Sequence, residues 1–121
     1  PNARTTFERS KLDWTEAESD AGRRALARTR KLLELRRREI VPLIPRLAGG
    51  RVERHGERAF TVRWHDAAAA RLQASVNLGD DAVAVPAPGR ALYRSDGVVE
   101  EGGQARLAAW TLAWWRLGET A

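Results

Sequence analysis

The spacing of apolar residues changes from a helical to a strand period at Gly49-Gly50, and this most narrows what the chain can fold into. Upstream, Ala25, Leu26, Thr29, Leu32, Leu33 and Ile40 follow the i, i+3/i+4, i+7 rule of one helix face. This predicts a main helix over about residues 20–39, ended by Pro42 and punctuated by Pro45. Thr15 and Glu18 have capping-box spacing, Ser19 and Asp20 offer a second N-cap, and Gly22 weakens continuity between the two. A short turn near 15–18 is therefore expected, after an extended lead-in over 1–14. Glu34 stands four residues before Arg38, the favourable order for a helical ion pair.

Downstream the period is 2. Strands are expected at 50–54, about 58–64, 71–78, from 83, at 91–94, at 98–99 and within 105–117, separated by His55-Gly56-Glu57, Gly79-Asp80-Asp81, Pro86-Ala87-Pro88-Gly89, Ser95-Asp96-Gly97 and Glu101-Gly102-Gly103. Asp66 and the alanines after it read as a loop, because strands flank them closely. Phe60, Val62 and Trp64 share one face. Leu72, Ala74, Val76 and Leu78 are expected inward, with Arg71, Gln73, Ser75 and Asn77 between them. Trp110, Leu112 and Trp114 fall on one face of the last strand and Trp115 on the other. The fold expected is mainly β with an N-terminal helix: an antiparallel Greek-key β-sandwich preceded by one long helix.

Composition narrows the chemistry. The 121 residues suit one modest domain, and 43% apolar with 31% charged residues is a globular balance. With no cysteine, disulfides and thiolate metal sites are excluded, which suits a cytoplasmic protein. No apolar run is long enough to span a bilayer, so no membrane partner is expected. The start, Pro-Asn-Ala-Arg, lacks the apolar stretch of a signal peptide. A chain with no methionine is expected to be an excised or processed segment.

The net charge of +5 raises nucleic acid as a partner, but its placement argues otherwise. Residues 1–54 carry 14 Lys plus Arg against 8 Asp plus Glu, whereas residues 55–121 carry 7 against 8. The excess belongs to one helical segment and reads as a solvated or intramolecular face, so no nucleic-acid partner is expected.

Candidate sites are few. His55 and His65 lie in a turn and at a strand end without helical H-x-x-x-H spacing, so no metal site is expected. Gly49-Gly50 and Gly102-Gly103 lack a following Lys-Ser/Thr, and Ser10, Ser19, Ser75 and Ser95 have no nucleophile elbow around them. Asp80-Asp81 and Glu100-Glu101 are adjacent pairs beside glycine, which places them in solvated turns rather than across a scissile bond. Of the five tryptophans, Trp64, Trp110 and Trp114 are expected in the core, and Trp115 is the candidate for an exposed aromatic that packs on a partner domain.

The segment Thr6-Phe7-Glu8-Arg9-Ser10-Lys11-Leu12-Asp13-Trp14 resembles a stretch of malto-oligosyltrehalose trehalohydrolases of the α-amylase family. In them it follows the last strand of a catalytic (β/α)₈ barrel and precedes a helix ending in a Leu-Arg-Arg type sequence, here Leu32-Leu33-Glu34-Leu35-Arg36-Arg37. An all-β carboxy-terminal domain comes next, with an Asn-Leu closing a central strand, here Asn77-Leu78, and a tryptophan-rich final strand, here Leu107 to Trp114. Family members often carry prolines where this chain has Ala108-Ala109. The resemblance covers essentially the whole chain, and its β-domain part is shared with branching and debranching enzymes.

The resemblance implies residues 1–46 as the lead-in and final helical segment of a barrel, and residues 47–121 as the all-β C-terminal domain. It implies a parent hydrolase that releases trehalose from maltooligosyl-trehalose, with its carboxylates on barrel loops upstream of Pro1. No catalytic, cofactor-binding or metal residue is assigned here, and no cofactor is expected. The expected partner is the chain's own barrel, which would bind the maltooligosaccharide-type substrate. Two other readings stand beside this one: the same domain from a sister α-amylase-family enzyme, and a free-standing module that binds carbohydrate or protein. Without the barrel, the apolar stripe of residues 1–40 is expected to drive self-association.

Overall fold

The computed structural model describes residues 4–118. It divides into two compact units, Pro1–Arg36 and Arg37–Ala121. In the first, α1 spans Arg4–Arg9 and α2 spans Asp20–Leu35, with a 3₁₀ turn over Trp14–Glu18 between them. The lead-in expected to be extended is thus partly helical. Arg4 Nε bonds Glu8 Oε1 one turn away (2.9 Å), and the Ser10 hydroxyl donates to the Phe7 carbonyl (2.9 Å). The cap of the 3₁₀ turn also lies earlier than Thr15. Asp13 accepts from both the backbone N–H (3.0 Å) and the hydroxyl (2.6 Å) of Thr15. Ser19 is the N-cap of α2, accepting from the Gly22 N–H at 3.0 Å. Gly22 does more than interrupt a helix. A Cβ there would fall onto the Glu16 carbonyl oxygen and the Ala17 backbone, so only glycine lets α2 pack against the preceding turn.

The backbone continues as a π turn over Arg36–Ile40 and a 3₁₀ segment over Val41–Arg46. The wider π turn breaks the i, i+4 relation, and Arg38 pairs with Glu39 (3.0 Å) rather than with Glu34. Glu39 fastens this segment to the strands. It accepts from Arg90 Nη2 at 2.8 Å, and its carbonyl lies 3.4 Å from Arg116 Nη1.

Eight strands follow: β1 Gly50–Arg54, β2 Ala59–His65, β3 Ala70–Asn77, β4 Val83–Pro86, β5 Arg90–Arg94, β6 Val98–Glu101, β7 Gln104–Leu107 and β8 Thr111–Arg116. They form a five-stranded sheet ordered β1-β2-β3-β8-β5 and a three-stranded sheet ordered β4-β7-β6, every pair antiparallel. β8 returns between β3 and β5 after the chain has visited the second sheet, the long closing connection of a Greek key. The alanine run after Asp66 is a turn, as expected, and Asp66 accepts from the N–H of Ala68 and of Ala69. Every residue of the edge strand β1 is exposed.

The core lies between the sheets. Val85, Ala105 and Leu107 of the small sheet meet Ala113, Trp115 and Leu117 of the large one. Trp115 is 0% exposed, and its Nε1 donates to Glu100 Oε1 at 2.6 Å. The expectation that Trp115 is the exposed aromatic is therefore corrected. Alternation separates the two faces of β8, but the inner face proves to be that of Ala113 and Trp115.

The same correction applies to β3. Gln73, Ser75 and Asn77, expected between the inward residues, are each 0% exposed and face the small sheet. They are buried because they are bonded. Gln73 Nε2 donates to the Pro86 carbonyl (2.6 Å), Ser75 Oγ meets Thr61 Oγ1 (2.7 Å), and Asn77 Nδ2 donates to the carbonyls of Asp81 (2.8 Å) and Ala108 (2.9 Å). The row continues outward through Arg63, which bonds both Gln73 and Glu53.

Candidate functional site

On its outer side the large sheet presents a second apolar face. The register aligns Val52, Val62, Ala74 and Trp114 across four strands, with Phe60–Val76–Leu112 and Trp64–Leu72 beside them. Trp64 on β2 and Trp114 on β8 are separated by β3, so their backbones stand about 9–10 Å apart. Their rings nevertheless stack with centroids 5.4 Å apart and planes inclined by 6°. Both indoles must lean over β3, and the small Ala74 between them leaves the room. Leu72 and Ala74 beneath are buried, so β3 is covered on both sides.

At the β1–β2 turn the outer face opens into a groove of about 490 Å³. Val52 and Phe60 give it apolar walls, Arg54, Glu57 and Arg58 line it as well, and Leu78 and Trp110 close the far side. Trp110, expected in the core, is instead 67% exposed. Its φ of +57° makes it the one non-glycine residue with left-handed backbone among the described residues. Such a conformation costs about 1–3 kcal/mol and persists where the surroundings enforce it. Here Trp110 sits in the turn joining β7 to β8, where the Thr111 hydroxyl donates to the Ala108 carbonyl (2.8 Å). The indole Nε1 donates to Asp80 Oδ1 at 3.2 Å, and Asp80 lies 3.7 Å from Arg58 Nη1.

The other sequence candidates serve the fold. His55 Nε2 is 2.9 Å from Thr61 Oγ1, extending the inner polar row. His65 ends β2, and its carbonyl accepts from the Ala48 N–H at 2.8 Å. Asp80 holds Trp110, whereas Asp81 contributes its carbonyl to Asn77. Glu100 holds Trp115 and pairs with Arg94 at 3.4 Å, while Glu101 is exposed. Ser19 caps α2, Ser75 bonds Thr61, Ser95 Oγ accepts from the Leu112 N–H, and Ser10 ends α1. Asp80 and Asp81 border one pocket at the turn after β3, where Asp80 is engaged by Trp110 and Arg58, and no group of three or more potential metal-ligating side chains occurs among the described residues. No helix among them is long and apolar enough to cross a membrane.

Asp66 is the most strongly perturbed acid. The N–H groups of Ala69 and Ala68 and the guanidinium of Arg71 (2.6 Å) hold its carboxyl far below the usual carboxylate range. Arg90 and Arg38 lower Glu39, and Arg63 lowers Glu53. Asp66 anchors a turn, Glu53 a strand pair and Glu39 the segment after α2, and none of the three lines the groove.

Sequence reasoning missed the groove because its signal is conformational. A tryptophan in the Ala108–Thr111 turn looks like the start of a strand, and only the φ angle removes it from the sheet. A model of the family described as a domain of unknown function (DUF3459) matches residues 47–114. No curated protein and no solved structure matches the chain.

Proposed function

We propose, because the chain belongs to the DUF3459 family, the C-terminal domain found in α-amylase-family glycosidases, that it is the non-catalytic terminal domain of a cytoplasmic member releasing trehalose from maltooligosyl-trehalose. In this reading residues 1–46 are the closing helical segment of a catalytic barrel and residues 47–121 the all-β domain that follows it. The barrel binds the maltooligosaccharide-type substrate and supplies the carboxylates. This chain supplies stability. The stretch from Thr6 to Trp14 favours the trehalose-releasing enzyme over the branching and debranching relatives that share the β-domain pattern.

The observation that carries the reading is the state of the helices. No side chain of α1 or α2 is buried, although Phe7, Leu26 and Leu33 are 65%, 44% and 46% exposed. An outer barrel helix has such a stripe because it packs on strands and neighbouring helices. The segment after it belongs with the sheets, through the bonds of Glu39 to Arg90 and Arg116. A helix of this kind is built to join a larger body to the β-domain.

The test compares the chain with the protein read from the whole upstream reading frame. The chain alone is expected to release neither trehalose nor glucose from maltooligosyl-trehalose, and the whole protein to release trehalose. Hydrolysis by the chain, or a whole protein that only branches or debranches glucan, would overturn the assignment.

A further inference from the structure

We infer that the groove beside Trp110 is a surface subsite for the pyranose rings of a neutral oligosaccharide, an α-1,4-linked glucan. Trp110 is held at φ +57°, where glycine would sit without strain, and it is 67% exposed, so its bulk adds little to the core. A large aromatic kept at a strained and exposed position has a use at the surface. It is also presented rigidly, because Asp80 fixes its nitrogen edge while the ring lines the groove.

The groove's chemistry selects the ligand. Phe60 and Val52 continue the apolar surface, and Arg54 and Glu57 stand beside it with donors and acceptors. A pyranose ring has the matching shape, with C–H faces for the indole and hydroxyls for the charged groups. A purely apolar ligand would leave those groups unpaired. Arg58 is already paired with Asp80 at 3.7 Å and Glu57 offsets Arg54, so the lining carries no surplus of positive charge that would select phosphate. The groove is open, which suits one stretch of a long chain held from one side. The sugar platform stands on this geometry alone, whereas the α-1,4 linkage rests on the proposed function.

The chain is titrated with maltohexaose and, separately, with cellohexaose, followed by tryptophan fluorescence and backbone NMR shifts. Saturable binding of maltohexaose is expected, with shifts at residues 52–60 and 108–111. Trp110→Gly should weaken it by at least about tenfold while the thermal midpoint stays level or rises, since glycine relieves the left-handed strain. Trp110→Asn, which also tolerates that backbone, serves as the second variant. Loss of folding in both variants would show that Trp110 holds the turn and would overturn the inference, as would undiminished binding. Binding of neither sugar overturns the platform and leaves the trehalose-release assay unaffected. Binding of cellohexaose alone keeps the platform and overturns the α-glucan assignment.

Discussion

Trp114 and Trp115 are neighbours in the chain with different surroundings. Trp114 stacks on Trp64 outside the sandwich, whereas Trp115 fills the space between the sheets and bonds Glu100. Trp115→Ala should therefore destabilise the domain by about 3–5 kcal/mol in urea unfolding, the range for deleting a large buried aromatic. A loss near zero would place Trp115 at the surface after all. Both tryptophans were legible as strand residues on opposite faces, but which face is inner was not. The usual cue, polar outward and apolar inward, fails here because Gln73, Ser75, Asn77 and Thr61 lie on the inner face and satisfy one another or nearby carbonyls. Asn77 alone contacts carbonyls 4 and 31 residues away, partners that no local pattern reveals.

Element by element, turn chemistry carried most of the information. Gly56, Gly97, Gly102 and Gly103 have positive φ and lie in the turns after β1, β5 and β6, where glycine punctuates the sequence. The strands of the large sheet follow those punctuation marks closely. The six-residue α1 was missed because it is too short to show a helical period, and the π turn because nothing in Arg36–Ile40 distinguishes it from ordinary helix. The stripe of α2 was legible, and its exposure has a consequence for the isolated chain. Leu26 and Leu33 are 44% and 46% exposed, so covering them would recover roughly half of the 1.5–3 kcal/mol of a full burial each, and the chain should self-associate at high concentration. Sedimentation equilibrium would check this: Leu33→Asp should shift the chain to monomer, with the circular dichroism of the strands unchanged. A concentration-independent monomer before substitution would mean that the stripe needs no cover.

For the whole molecule, acid is the informative perturbation. Asp66, Glu39 and Glu53 all have carboxyls below their ordinary range in the folded state. A depressed folded pKa contributes stability that is fully present above the unfolded value, about 4, and is lost as pH falls through the folded one. Unfolding free energy should decline as the solution is acidified from about pH 5 towards pH 2. Asp66→Asn should be less stable than the parent at pH 7, with the gap narrowing at low pH because the parent loses its Arg71 pairing there. Parallel pH profiles for the two proteins would assign the acid sensitivity elsewhere. A different question is what stops such a molecule from growing. The large sheet has two open edges, β1 and β5, and an open edge is a template on which another chain can add a strand. β1 carries Arg51, Glu53 and Arg54, and β5 begins with Arg90 and ends with Arg94. A second copy approaching either edge in register meets guanidinium groups that would have to shed water beside one another. The arginines thus act as end-stops against fibre-like growth of the large sheet, a separate matter from association through the apolar stripe of α2.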